Sequence, residues 1–515
     1  MTTGSEQFPV GPDDGLDGAT IEVTVGPVAH GGHCVARLPA STAPSRGDEP
    51  SAGRVVFVRH ALPGERVKAV VTEEHSSYLR AEAIEIIHAS PRRVTPPCPW
   101  AGFGSASRGS RAGSGLGAPR ACGGCDLQHA DLAYQRELKS AVLREQLLRL
   151  GGLDESTVDS LRPVVEPLPP VPGEPDGQGW RTRVQYTVDS TGRAGLLAHR
   201  SHEVVPVDRC LIAHAAIRDT DVLRRTWPEH DAIEVIAGAD GLATVLARRG
   251  EGPATLVSGP ATVTEQAVGR DWRLPPTAFW QVHPAAADTL AAAVVELLQP
   301  RSGERVWDLY GGVGLFAAAL AAAGARPVEL PGPDEPAVAA EDLAAAGDRP
   351  GRAEPGRIGP GGAGTIARRG GPDSITGRPG ALGSITIVDA DPAAVAAARD
   401  NLRDLSGVTV VRADVARALR RTARSEAPSG GPGLPPGPVD LVVLDPPRSG
   451  AGREVVARVA ERGPRAVAYV ACDPAALARD VRTLRAYGYK LAALRAYDLF
   501  PHTHHLEAVA LLTPA

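Results

Sequence analysis

From about residue 277 the chain repeats one unit: a short apolar run, a loop holding an acid or glycines, then an Ala-rich helical stretch. The runs are "ERVWDLY", "ITIVDAD", "VTVVRAD", "VDLVVLDPP" and "RAVAYVAC". Each reads as a short apolar strand followed by a loop or an Ala-rich helix. That pattern fixes an α/β class with a doubly wound, Rossmann-like parallel sheet.

The loops at the strand ends carry the chemistry. "VWDLYGGVGLFAAAL" (306–320) reads as strand, glycine turn and helix, and Gly311-Gly312-x-Gly314 lets the backbone come close to a ligand there. It is neither G-x-G-x-x-G nor a Walker loop. Acids end three successive strands: Asp308, Asp389 and Asp414. This set suits S-adenosylmethionine, with Asp308 for the methionine ammonium, Asp389 for the ribose hydroxyls and Asp414 for the adenine amino group. A nicotinamide cofactor would need pyrophosphate contacts that the pattern does not favour. The alternative is that such acids simply cap the helices that follow. "LVVLDPPRSG" (441–450) adds a rigid loop that offers Asp445 and backbone carbonyls to a flat base. Amino-group methyltransferases place an aromatic after this motif, whereas here Arg448 follows.

"YVACDPAALARD" (469–480) sets Cys472 just before a helix, with Asp473 as its cap and Pro474 as its first residue. The helix dipole is expected to favour thiolate there, partly opposed by Asp473. A thiolate that adds to C6 of uracil turns C5 into a carbon nucleophile able to take a methyl group. The adduct must then lose its C5 proton. Glu507 in "FPHTHHLEAVALL" leads into a buried strand, where an idle carboxylate would be costly, and is the expected general base.

The N-terminal half has a different texture. Residues 1–18 are an acidic, Gly-rich tail without the basic start and apolar centre of a signal peptide, and no run approaches the roughly 18 apolar residues of a membrane span. A cytoplasmic protein is expected. Residues 19–90 alternate apolar and polar residues between Gly/Pro turns, which predicts a small antiparallel barrel or sandwich. Residues 91–275 form a central, mostly β unit with a helix over 131–153, and 276–515 form the α/β domain. The Gly/Pro-rich inserts 332–380 and 425–438 are expected to be mobile loops. Net charge is −5, yet residues 54–150 carry 14 basic against 9 acidic side chains, compatible with a phosphate-facing surface. With only three lysines in the chain, a general preference for Arg explains the excess equally well. Cysteines number six; a disulfide framework is unexpected in the cytoplasm, which leaves metal ligation or catalysis. Cys34, inside the barrel, is expected to be structural.

Taken together, these motifs resemble the RNA uracil-C5 methyltransferases, which make 5-methyluridine in 23S rRNA or in the tRNA T-loop. The resemblance covers most of the chain. It implies that the barrel is a TRAM domain, an OB-like RNA-binding module. Through "TAFWQVH" it implies Gln281 as a cofactor contact, through "DLYGGVG" Tyr310 with Gly312, and through "IVDADP" Asp389, where most relatives have Glu. Asp445 falls in the pocket, Cys472 becomes the nucleophile and Glu507 the proton acceptor; Asp473 stands where many relatives have Asn. Many members also hold a [4Fe–4S] cluster on C-x5-C-G-G-C plus a distant cysteine. Here the matching residues are Cys98, Cys122, Cys125 and Cys210, with 23 residues in the first gap instead of five. Spacing alone leaves zinc and iron–sulfur even; the resemblance favours the cluster. The expectation is a monomeric enzyme acting on RNA, 23S rRNA ahead of tRNA, without a membrane partner. The competing expectations are methylation of an exocyclic base amine through Asp445, and a non-enzymatic iron–sulfur protein that binds RNA.

Overall fold

The computed structural model describes residues 16–38, 53–102, 121–324, 381–422, 434–435 and 437–515. The insert 332–380 and nearly all of the acidic tail and of 425–438 lie outside the described residues. Leu434, at the far end of the second insert, is buried in the catalytic core.

The N-terminal unit has strands β1 (Thr20–Thr24), β2 (Cys34–Arg37), β3 (Val55–Arg59), β4 (Arg66–Glu74) and β5 (Tyr78–His88), ordered β1-β4-β5-β3-β2. Alternate residues such as Val56, Val58, Val67, Ala69, Val71 and Leu79 point inward. The β3–β5 pair is parallel, where alternation alone had suggested antiparallel pairing throughout. Alternation reports which face is buried, not which strand lies alongside. Cys34 is buried and its thiol donates to the Ala61 carbonyl at 3.2 Å, a packing role.

Helices α1 (Leu132–Arg149) and α2 (Glu155–Leu161) follow, then β6 (Val165–Pro167). Asp131 caps α1 by accepting from the Tyr134 amide, and the helix stops at Gly151-Gly152, where Gly152 takes φ +63°. The central sheet is built from β7 (Arg183–Val188), β8 (Ala194–Leu197), β9 (Val204–Val205), β10 (Ala232–Ala237), β11 (Ala243–Arg248) and β12 (Thr255–Ser258). A short helix, α3 (Ala215–Arg218), packs against β10, and a hairpin of β13 (Val263–Ala267) and β14 (Arg270–Leu274) leads out of the unit.

The C-terminal body comprises α4 (Ala286–Leu298), β15 (Arg305–Leu309), α5 (Leu315–Gly324), β16 (Ser384–Asp389), α6 (Pro392–Asn401), β17 (Val408–Arg412), α7 (Val415–Thr422), β18 (Leu441–Leu444), α8 (Gly452–Glu461), β19 (Ala466–Ala471), α9 (Pro474–Ala486), β20 (Tyr489–Asp498) and β21 (Glu507–Pro514). Its eight-stranded sheet runs β17-β16-β15-β18-β19-β21-β20-β6. Successive residues feed opposite faces: Val306, Leu441 and Val443 pack with α4–α6, while Trp307, Val442 and Leu444 pack with α7–α9. Both faces are thus covered, the reason these strands read as unbroken apolar runs.

Residues 132–167 depart from the expected layout. β6 adds to the sheet as a parallel edge strand beside β20, and Leu143, Leu147, Val158 and Leu161 join the α7–α9 core. This stretch, grouped by sequence with the central unit, is physically part of the catalytic body.

Candidate active site

Strand order reverses between β15 and β18, since β15 connects onward to β16 on one side and β18 returns on the other. Open α/β sheets bind ligands at that switch point, beyond the carboxyl ends of the strands. The glycine turn sits there. Gly312 (φ +53°) and Gly314 (φ +91°) use left-handed backbone, and a Cβ on Gly314 would come within 2.4 Å of Leu402. Tyr310 also takes φ +61°, a strained state for a non-glycine residue, and burial pushes its phenol up to about 12.

The three strand-end acids divide into different roles. Asp389 accepts from the Gly312 amide at 2.9 Å and from the Asp391 amide at 2.8 Å, so it braces the glycine turn and keeps lone pairs free for hydroxyl donors. Asp308 is fully buried on the α5 side, where its Oδ2 accepts from the Ala317 amide at 3.1 Å. Its Oδ1 has no partner, and burial raises its carboxyl to about 7. Asp414 is exposed and accepts from the Arg417 amide at 2.9 Å, capping α7. The capping alternative therefore holds for Asp308 and Asp414 as they stand. Gln281 is buried in the segment between β14 and α4, and Phe279, two residues earlier, is 67% exposed.

Cys472 lies at the end of β19, half-buried, with Asp473 capping α9 through the Ala476 amide at 2.7 Å. The β19–β21 register pairs Ala471 with Ala508; one step further sets Cys472 opposite Glu507, the first residue of β21. Asp445 follows β18 on the adjoining strand, its amide donating to the Leu309 carbonyl at 3.2 Å. The structure thus brings Cys472, Glu507 and Asp445 together at the same end of three central strands.

The electrostatics reverse one expectation. The Cys472 thiol is pushed up to about 12, by burial first and then by the carboxylates of Glu507, Asp445 and Asp473, with Arg448 alone pulling it down. The dipole of one helix does not overcome a desolvated site beside three acids. Burial raises Glu507 well above the carboxylate range, and raises Asp445 to about 7.

A TRAM domain model matches residues 16–84, and a tRNA (uracil-5-)-methyltransferase model matches residues 436–514, which contain Asp445, Cys472 and Glu507. An uncharacterized RNA methyltransferase of Streptomyces avermitilis is 39% identical over 97% of this chain and 99% of its own length. The chain belongs to the RNA uracil-C5 methyltransferase family. The 23S rRNA (uracil(1939)-C(5))-methyltransferase RlmD of Chromohalobacter salexigens is 29% identical, over 97% of this chain and 90% of that one. Among solved structures, the Pyrococcus abyssi tRNA (uracil-54, C5)-methyltransferase in complex with S-adenosyl-L-homocysteine aligns with TM-score 0.57 at 19% identity. It covers 96% of this chain and 99% of that chain, so the fold is shared across all three units. The protein is by family an S-adenosylmethionine-dependent RNA methyltransferase.

In this family member several site residues were not evident from sequence. Arg448 lies 3.4 Å from His505 Nε2, and His504 Nδ1 meets Asp126 Oδ2 at 2.6 Å. The amides of Asp126 and Leu127 both donate to the His502 carbonyl at 2.9 Å, and Arg59 of the barrel donates to Asp126 at 3.2 Å. Lys139 of α1 donates to Asp498 at 2.6 Å and to the Phe500 carbonyl at 3.1 Å, while Gln135 accepts from the His502 amide at 2.7 Å. The loop that delivers Glu507 is therefore gripped by three separate parts of the chain.

Cys98, Cys122, Cys125 and Cys210 line one cavity of about 40 Å³, together with Trp100, Gln128 and Arg181. A single water needs only ~10–15 Å³. Ala101 bridges to Cys122, so the chain leaves and rejoins the site at neighbouring points, and the long gap between the first two cysteines does not separate them. Gly123 is required here, since a Cβ would come within 2.5 Å of the His199 amide. Among the described residues, no group of three or more His, Cys, Asp or Glu is placed to hold a single metal ion.

Proposed function

We propose that the protein methylates C5 of a uridine in 23S rRNA, with Cys472 as nucleophile and Glu507 as general base. The observation that carries this is the rung Cys472–Glu507 beside Asp445, a thiol and a buried acid facing one another at the mouth of the glycine crevice. S-adenosylmethionine would supply an electrophilic methyl group, and its fit rests on Asp389, with its spare lone pairs, and on the open space over Gly312. Tyr310 and Gln281 would flank it, and Asp308 Oδ1, buried without a partner among the described residues, would gain a donor. Asp414 caps α7 through Oδ1 and would meet the adenine amino group with its other oxygen.

As uracil is extruded into the pocket the Cys472 proton passes to solvent and the thiolate adds to C6, leaving Glu507 ionised for the later step. C5 then takes the methyl group. Glu507 removes the C5 proton, the double bond re-forms and the sulfur leaves C6. Arg448 acts on both the thiol and Glu507, and it stabilises negative charge through each step. The exposed Phe279 ring suits stacking on an unpaired base. 23S rRNA ranks ahead of tRNA because the relatives named for it are 28–29% identical to this chain, whereas the tRNA (uracil-54, C5)-methyltransferase shares 19%.

A [4Fe–4S] cluster on Cys98, Cys122, Cys125 and Cys210 is placed ahead of zinc by the family resemblance; the four cysteines line one cavity that would receive it. The protein would act in the cytoplasm, as a monomer.

The direct test is methyl transfer to purified, unmodified 23S rRNA and to tRNA, with 5-methyluridine mapped in each product. Methylation of one or two rRNA uridines supports the proposal. Methylation of tRNA alone, or of an exocyclic amine, overturns it.

A further inference from the structure

The barrel's loop between β1 and β2 reaches the nucleophile. His30 Nε2 lies 3.0 Å from Asp473 Oδ2, while Asp473 Oδ1 accepts from the Ala476 amide to cap α9. Asp473 is ionised, its carboxyl held below the usual range despite burial by the contact with His30 and by the cap, so the imidazole must be the donor. Two residues on, Gly32 packs so closely that a Cβ would come within 2.9 Å of His504 Cβ and 3.5 Å of Asp126 Cβ. The loop is thus seated against the catalytic rim at two independent points, 443 residues apart in sequence at the first.

Asp473 presents a chemical problem. Asn would cap the helix about as well without a charge, yet here a carboxylate sits beside a thiol that must ionise. Facing Cys472 are Glu507 from β21, Asp445 and Arg448 from the loop after β18, and Asp473 from its own helix. Three of the four disfavour the thiolate. Arg479 also acts on Asp473, along the same helix. His30 comes to this carboxylate from outside the catalytic body.

We propose that His30, supplied by the barrel, is a positioning residue of the catalytic pocket: it holds Asp473 and offsets the negative charge next to Cys472. Docking of the RNA-binding barrel and readiness of the nucleophile are then one event. The inference rests on Cys472 as nucleophile, but its test reads the thiol directly and requires no methyl transfer.

The experiment is peptide-resolved alkylation of Cys472 by iodoacetamide, across neutral to alkaline pH, in the full-length protein and in H30A, D473N and the H30A/D473N double variant. H30A should slow alkylation roughly three- to tenfold at each pH, because the uncompensated carboxylate disfavours the thiolate. In the D473N background, removing His30 should change nothing further. The proposal is overturned if H30A leaves the rate unchanged, or if it slows alkylation as much in the D473N background as in the parent; the latter would mean that His30 acts only by docking the barrel.

Discussion

A buried thiol, three acids from neighbouring elements and one arginine make up the pocket, and burial together with the acids opposes the thiolate at rest. Replacing Cys472 with Ala should leave no product and no covalent RNA complex. Glu507→Gln should instead stall after methylation, lowering turnover roughly 10²–10⁴-fold while the protein–RNA adduct accumulates on denaturing gels. Asp308 gives a stability test. Its carboxyl rises from 3.8 to about 7 on folding, so its favourable contribution is present in acid and lost as pH rises through that window. Asp308→Asn should therefore match the parent in acid and become the more stable protein above neutrality, by up to about 4 kcal/mol, measured by denaturant unfolding at several pH values. Cys472 and Glu507 were legible because each breaks a local pattern, a thiol at a strand end and a carboxylate entering a buried strand. The state of the thiol was not, because the acids that raise it come from other strands.

At the scale of elements, α1 acts as a clamp on the loop before β21. Lys139 is one of three lysines in the chain, and it is fully buried against Asp498. Removing one partner of such a pair strands the other charge, so Lys139→Met should cost about 3–5 kcal/mol in thermal or chemical unfolding, and adding Asp498→Asn should restore most of it. Helical spacing showed α1 but not its partner, which lies 359 residues away. β6 escaped notice for a similar reason. Three residues beside prolines carry too little pattern to mark a strand, and its pairing with β20 is made only by the folded sheet.

Across the whole molecule, the barrel, the cysteine loop and the catalytic body meet through an apolar cluster of Val28, Leu62, Leu127, Leu138 and Val142 and through polar contacts: Arg59 to Asp126, Asp126 to His504, His30 to Asp473. If the cysteines hold a cluster, anaerobically purified protein should be brown and contain about four irons per chain. Cys210→Ser should bleach it and, through the Asp126–His502 hydrogen bonds, loosen the 499–506 loop, seen as faster amide exchange there. Colourless protein loaded with zinc would refute the cluster. The unit order and the C-terminal fold follow from periodicity. Their mutual docking does not, since it depends on single side chains placed by separately folded parts.

The most direct test of the central claim is incubation of the protein and S-adenosylmethionine with rRNA containing 5-fluorouridine, followed by peptide mapping. Fluorine at C5 cannot leave as a proton, so elimination is blocked. We expect a stable adduct in which methylated 5-fluorouridine is attached to the peptide bearing Cys472. Efficient methylation of unsubstituted RNA, with no adduct on the fluorinated RNA or with one on another cysteine, would contradict the account.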